Sequence, residues 1–126
     1  MLLVVLAVPL VVSVVVMSMK NKSLFVETFG DTPLVRATEF FLTYRDFDYS
    51  KSQVAAEADV SRVTIENVWK QLIRNGIIVK TRKVGNGELY KLNLANPKVK
   101  VLMKTAVDLS LSYLNNIKEH KIPLPA

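Results

Sequence analysis

The chain contains no cysteine and a single histidine among its 126 residues. Without cysteine there can be no disulfide, no thiolate metal site and no cysteine nucleophile. The one histidine, His120, stands near the C-terminus with no second metal-ligating residue close by in the sequence. We interpret it as a solvent-exposed tail residue, rather than as a metal ligand or a catalytic base.

The sequence also lacks the motifs that mark common catalytic sites. It has no P-loop, no glycine-rich dinucleotide turn and no HExxH pair. Asp46 and Asp48 stand two residues apart in a segment between helices, where acidic residues are usually solvated turn residues. We therefore predict that the protein is not an enzyme, with no catalytic residues, no metal and no cofactor.

Residues 1–17, "MLLVVLAVPLVVSVVVM", carry no charge and include eight valines. As a helix this run would span about 25 Å, slightly short for a bilayer core. It lacks the basic n-region of a secretory signal. Three interpretations stay open for the apolar segment 1–19: a membrane anchor, an over-extended gene start with Met17 or Met19 as the initiator, or a buried strand. If it is an anchor, Lys20 and Lys22 would hold the following residues at the cytoplasmic face, so the predicted location is cytoplasmic, free or tethered.

Basic residues exceed acidic ones, by 17 Lys and Arg to 11 Asp and Glu, and the pI is near 9.7. The formal net charge of +6 favours an anionic partner such as nucleic acid or anionic lipid. The excess is uneven along the chain. Residues 51–91 hold 8 basic and 4 acidic side chains, whereas residues 20–50 hold 4 and 5.

Start and stop signals divide the chain after residue 20 into short helices. Gly30 suits the end of a short helix beginning near residue 23, and Thr32 with Pro33 suits the start of the next. Ser50 and Gln53 have the spacing of a capping box before a small helix. Ser61 then precedes "RVTIENVWKQLIRNG", whose apolar residues recur at helical spacing up to the stop at Gly76.

The hydrophobic period then changes from that of a helix to that of a strand. Runs at 77–84 and 88–94 are rich in Val, Ile, Thr and Tyr, and "GNG" between them predicts a hairpin. If Ile77 and Val79 face the core, the alternation turns Lys80 and Arg82 outward. A long helix follows, with Asn96 as N-cap and Pro97 in its first turn. We also expect Trp69 to be a core residue, rather than a platform for base stacking.

This element order describes a winged helix-turn-helix: two helices joined by a tight turn, followed directly by a hairpin. The predicted fold class is mainly α with a small β-hairpin (α+β) and a long C-terminal helix. We place the domain at residues 20–95 and the C-terminal helix at 96–126.

The stretches "SKSQVAAEADVSRVTIENVWKQLIRNGII", "TRKVGNGELYKLN" and "NPKVKVLMK" resemble the archaeal-type winged-helix transcriptional regulators related to the MarR and ArsR groups. The resemblance covers residues 23 to about 105. It implies that the second helix of the motif enters the major groove of double-stranded DNA by its N-terminal end. The residues so presented are Arg62, Val63, Thr64, Glu66, Asn67 and Lys70. Ser61 suits two roles, because it can cap the helix and contact a phosphate. The alternative is an ordinary solvated helix face.

The chemistry of these residues suits base reading. Arginine binds guanine through two hydrogen bonds, asparagine binds adenine in the same way, and Val63 or the Thr64 methyl suits a thymine methyl. Glu66 would repel phosphate, so it must accept from cytosine or hold Arg62 or Lys70 in place.

The predicted hairpin carries Lys80, Arg82, Lys83 and Lys91 against one acid, Glu88. A basic wing of this kind contacts the DNA backbone or the minor groove. We include Asn86, in the turn of the hairpin, among the residues that contact DNA. A hairpin without a partner is the alternative. Some winged helices are instead protein–protein interaction modules, and that function is our second hypothesis.

The long C-terminal helix has more apolar surface than a small core can cover, which predicts a homodimer. The contact residues would be Val99, Leu102, Ala106, Leu109 and Tyr113. Two-fold symmetry would match a palindromic DNA site. The alternative is a monomer whose C-terminal helix folds back across the core.

Overall fold

Five α-helices and a small antiparallel sheet make up residues 23–119, the part of the chain that the computed structural model describes, with side chains described through residue 115. The elements in chain order are α1 (Leu24–Phe29), α2 (Pro33–Thr43), β1 (Tyr49–Ser50), α3 (Lys51–Glu57), α4 (Arg62–Arg74), β2 (Ile78–Val84), β3 (Gly87–Leu92) and α5 (Pro97–Glu119). The mixed α+β class predicted from the sequence is confirmed.

The predicted helix starts are confirmed. Each start could be predicted because a capping side chain within one turn of the helix determines it. The Thr32 side chain accepts from the backbone N–H of Val35, with Pro33 in the first turn. At α3, Ser50 and Gln53 form both hydrogen bonds of the capping box. Removing such a cap typically costs about 0.5–2 kcal/mol of stability.

The sheet has three strands in the order β1-β3-β2, one more than the sequence analysis predicted. The additional strand, β1, is only two residues long and pairs Tyr49 with Tyr90 and Ser50 with Leu89. Two residues are too few to show an alternating pattern, so this strand could not be predicted from the sequence. It brings the segment before α3 against the hairpin.

Lys80 and Arg82 are exposed and Ile77 is buried, as the alternation implied, but Val79 does not face the core. Ile77 and Ile78 are buried, whereas Val79 is 46% exposed. Ile77 lies in the C-terminal cap of α4, where its N–H donates to the carbonyl of Leu72, so the strand alternation begins only at Ile78. A register shift between Lys80 and Arg82 then changes the alternation again.

The core lies between α2, α4 and the inner face of the sheet, and aromatic rings form its centre. The ring of Trp69 packs against Phe41 (5.7 Å between centroids) and edge-on against Tyr90 (5.3 Å). Its indole N–H is buried and has no hydrogen-bond partner within residues 23–119. Trp69 is 3% exposed, which confirms the prediction that it is a core residue.

The end of α4, the hairpin and the start of α5 meet at Gly76. This residue has φ +69°, and a Cβ added to it would lie 2.7 Å from Asn96 Nδ2. Asn96 Nδ2 donates to the carbonyls of Gly76 (2.8 Å) and Asn75 (3.2 Å), while its Oδ1 accepts from Lys98 N–H. One asparagine therefore caps α5 and joins it to the end of α4.

The inward face of α5 packs on the core of the chain itself, which corrects the predicted contact surface of the dimer. Val99 has no exposed surface, and Leu102, Ala106 and Leu109 pack against the core. Tyr113 is half-buried and lies outside that core cluster. These residues were assigned to a partner helix because their spacing marks an apolar stripe without indicating what covers it. A different set, Val107, Leu111 and Leu114, is exposed.

The apolar segment 1–19 and His120 lie outside the described residues, so the membrane anchor stays a prediction. In the stretch from residue 23 to residue 119, no helix is both long enough and apolar enough to cross a bilayer.

Candidate nucleic-acid interface

A tight turn at residues 58–61 joins α3 to α4, and an arginine from α2 holds it in place. Arg36 donates from Nε to the carbonyl of Ala58 (2.8 Å) and from Nη2 to that of Asp59 (3.0 Å). Its Nη1 also pairs with Asp31 at 2.7 Å. Asp59 has φ +55°, a conformation that aspartate tolerates better than most residues. The orientation of α4 is thus fixed by bonds to the turn before it.

The outward face of α4 is polar and basic. Its buried stripe is Ile65, Val68, Trp69 and Leu72. The opposite face, at the same three- and four-residue spacing, presents Val63, Asn67, Lys70 and Arg74, all exposed. Val63 is 85% exposed, so the core does not require its side chain. Arg74 was missed in the sequence analysis, although the spacing from Asn67 and Lys70 would have indicated it.

The first turn of α4 is held by two residues of the predicted site. Ser61 Oγ accepts from the Thr64 N–H (3.1 Å), which confirms it as the N-cap. It also donates to Thr64 Oγ1 at 2.8 Å. Thr64 is half-buried, whereas Arg62 beside it is exposed. Ser61 and Thr64 are therefore bonded to each other, while Arg62 extends into solvent.

Glu66 holds a different partner from the two predicted for it. Its carboxylate pairs with Lys51 Nζ, at 2.8 and 3.0 Å, and not with Arg62 or Lys70. The reason is that Lys51 is the first residue of α3, whose N-terminus lies beside the second turn of α4. Lys51 was not among the predicted site residues, because it stands 15 positions from Glu66 and no local pattern links the two.

An open cleft of about 990 Å³ lies between α4 and the hairpin. Arg62, Glu66 and Lys70 line one side of it, and Lys83, Asn86 and Glu88 line the other. With Lys51, the charged residues that line this cleft are four cations and two anions. Five predicted site residues thus meet in one place, whereas Ser61, Val63, Thr64 and Asn67 are not part of its lining. The cleft attracts anions, since its net charge is positive.

Lys80 and Arg82 do not line the cleft, and each of them is paired with an acid. Lys80 Nζ lies 2.8 Å from Glu88 Oε2, and Arg82 Nε lies 3.0 Å from Asp48 Oδ2. The hydrogen bond from Lys80 lowers the pKa of Glu88 below its ordinary value. Lys70 and Lys83, by contrast, form no ion pair within the described residues.

Asp48 is not the solvated turn residue that the sequence analysis predicted. Its carboxylate accepts from both Arg82 and Thr81, and these bonds lower the pKa of Asp48 below its ordinary value, those from Arg82 most. Asp46, two residues earlier, is exposed as predicted. The difference arises because β1 pairs with β3 and brings Asp48, but not Asp46, within reach of β2.

No protein-family model matches the chain, and no curated protein is significantly similar to it in sequence. The outward face of α4 and the adjoining basic cleft therefore carry the functional argument.

Proposed function

We propose that this protein is a sequence-specific, double-stranded DNA-binding transcriptional regulator, a non-catalytic protein of the winged helix-turn-helix class that its sequence resembles. Helices α3 and α4 would be the helix-turn-helix, and the β2–β3 hairpin would be the wing. The observation that carries the proposal is the position of the polar outward face of α4 beside a cleft with four cations and two anions. A convex polar helix next to a basic concave surface fits a major groove and one flanking phosphate backbone.

Base reading would come from the first half of α4. Asn67 is exposed on the outward face, where its amide is free to pair with adenine through two hydrogen bonds. Arg62 has no ion pair among the described residues and suits guanine. The exposed side chain of Val63 suits a thymine methyl. Glu66 accepts from cytosine in this proposal, with Lys51 beside it to offset its repulsion of phosphate.

Backbone contacts would come from Lys70 and Lys83, which line the cleft and form no ion pair within the described residues. Lys70 lies on the recognition helix and Lys83 on the wing, so a phosphate strand in the cleft would pass between them. Such contacts displace the counterions of DNA and make binding steeply dependent on salt, irrespective of sequence.

Binding to random duplex over a salt series tests this proposal. We expect the logarithm of affinity to fall linearly with that of salt concentration, and the Lys70→Ala, Lys83→Ala double variant to lower the slope by about 2, one for each lost phosphate contact. Lys100→Ala, which removes an exposed charge from α5, is the matched control and should leave the slope nearly unchanged. No salt-dependent binding by the parent protein would refute the DNA-binding function.

The second candidate is a winged-helix module that binds another protein. It is favoured by an apolar groove of about 540 Å³ between α1, α2 and the start of α5, lined by Phe25, Phe29 and Leu102 among others. Phe29 is half exposed there. An apolar helix or peptide segment would fit that surface. A protein of this kind shows no salt-dependent affinity for random duplex, so the same salt series separates the two functions.

We also propose that the regulator is a homodimer, with contacts on a revised surface of α5. Val107, Leu111 and Leu114 recur at spacings of four and three and are exposed on one face of the helix. This face would pair with the same face of a second copy. The two-fold axis would place two copies of α4 on the half-sites of a palindrome.

Changing Leu111 to glutamate should convert the dimer to a monomer, because a charge replaces an apolar side chain at the centre of the proposed contact. Light scattering at tens of micromolar measures the mass, and binding to a whole palindrome should weaken far more than binding to one half-site. Val101→Glu is the matched control: Val101 is exposed on another face of α5, so this variant should remain dimeric. A parent protein that is monomeric at these concentrations would contradict the dimer.

A further inference from the structure

The Asp48 carboxylate is the fixed side of an ion pair on the proposed wing. It accepts from Thr81 Oγ1 (2.6 Å) and Arg82 Nε (3.0 Å) at Oδ2, and from Arg82 Nη2 (3.3 Å) at Oδ1. The Asp48 side chain is 17% exposed, whereas that of Arg82 is 65% exposed. The acid is therefore held in the protein and the guanidinium extends from it into solvent.

The geometry leaves part of the guanidinium available. Arginine has five N–H donors, and Asp48 occupies one on Nε and one on Nη2. The remaining donors point along the outer edge of a planar group whose orientation the two bonds to the carboxylate fix. A fixed guanidinium forms two parallel hydrogen bonds only with an acceptor in one position and plane.

The same carboxylate weakens the attraction of Arg82 for phosphate in general. A phosphate that approaches Arg82 also approaches Asp48, and the negative charges repel each other. A free arginine would bind a backbone phosphate in many geometries. Arg82, held by Asp48, loses affinity in every geometry except the one that matches its fixed orientation. Selectivity of this kind comes from reducing binding to the wrong partners.

We infer that Asp48 is a specificity-determining residue of the wing: it restrains Arg82, suppresses binding to random duplex and favours DNA that places an acceptor at the one position the held guanidinium reaches. The inference rests on the proposed DNA-binding function, and it concerns a residue of the loop before β1 that lies in neither the recognition helix nor the hairpin.

The test compares Asp48→Asn with Asp46→Asn, which removes the same charge from the same loop but from an exposed residue two positions away. Affinity is measured for random duplex and for a preferred site selected from a random pool by the parent protein. For Asp48→Asn we expect binding to random duplex to tighten about three- to tenfold and the salt slope to steepen by about 0.9, one added phosphate contact. Affinity for the preferred site should not rise in proportion, so the ratio of preferred-site affinity to random-duplex affinity falls. Asp46→Asn should leave this ratio unchanged.

A double-variant cycle with Arg82→Ala shows whether Asp48 acts through Arg82. In the Arg82→Ala background, the substitution Asp48→Asn should no longer tighten binding to random duplex. Thermal melts of all variants accompany the cycle, and Thr81→Val, which loosens the carboxylate without changing any charge, is an independent variant. It should shift the ratio in the same direction as Asp48→Asn.

Three results would overturn the inference. An equal gain in affinity for random duplex from Asp46→Asn would mean that removing any acidic side chain of this loop has the same effect. Weaker binding of Asp48→Asn to both duplexes would mean that Asp48 only supports a phosphate contact. A gain that persists in the Arg82→Ala background would mean that Arg82 is not involved. In all three cases the parent protein still binds duplex, whereas a parent protein that binds none refutes the proposed function as well.

Discussion

Replacing Leu72 by alanine should lower the free energy of unfolding by about 2–5 kcal/mol, the largest effect on stability that we predict. Leu72 lies on the inward stripe of α4, is 2% exposed and belongs to the core cluster with Phe41 and Trp69. Truncation removes buried methyl groups and leaves a cavity that the neighbouring rings fill only in part. Urea denaturation followed by the fluorescence of Trp69 measures the change.

Ile73, the next residue of the same helix, is the matched control. Its side chain is 43% exposed, so Ile73→Ala should change stability much less than Leu72→Ala. Below its melting transition, the Leu72→Ala protein should still bind DNA with the sequence preference of the parent, because Leu72 is not on the outward face. A folded Leu72→Ala variant that has lost its sequence preference would contradict the division of α4 into a core stripe and a reading face.

The features that could be predicted from the sequence are those decided within a few residues. Thr32, Ser50 and Ser61 each start a helix through a bond to a backbone N–H three positions away. Gly85 has φ +59° in the two-residue turn of the hairpin. Helix starts and turns of this kind depend on the chemistry of residues that are close together in the sequence, so they can be predicted from it.

The features that could not be predicted depend on which elements meet. Asp48 and Arg82 are 34 positions apart, and only the short strand β1 brings them together. The partner of Glu66 turned out to be Lys51, although Lys70 stands at the favourable four-residue spacing on the same helix. Periodicity likewise showed that α5 has an apolar stripe, but not that the stripe from Val99 to Leu109 packs on the core of the same chain.

The second large effect concerns recognition, and it falls on the outward face of α4. Asn67→Ala removes an exposed amide that the core does not need. It should weaken the free energy of binding by about 1–3 kcal/mol at one base position, through the loss of a pair of hydrogen bonds to adenine. Arg62→Ala should do the same at a guanine. Non-specific affinity should change little for Asn67→Ala, and stability should be close to that of the parent protein in both variants.

The most direct test of the account is the base preference of these two variants, measured by selecting duplexes from a random pool with the parent, Asn67→Ala and Arg62→Ala proteins side by side. Thermal melts and the affinity for random duplex are recorded in parallel. We predict that each variant loses preference at one or two base positions, different for the two residues, and keeps the remainder of the selected site. If both variants select the same site as the parent with the same strength, the outward face of α4 is solvated surface and the DNA-reading function is wrong.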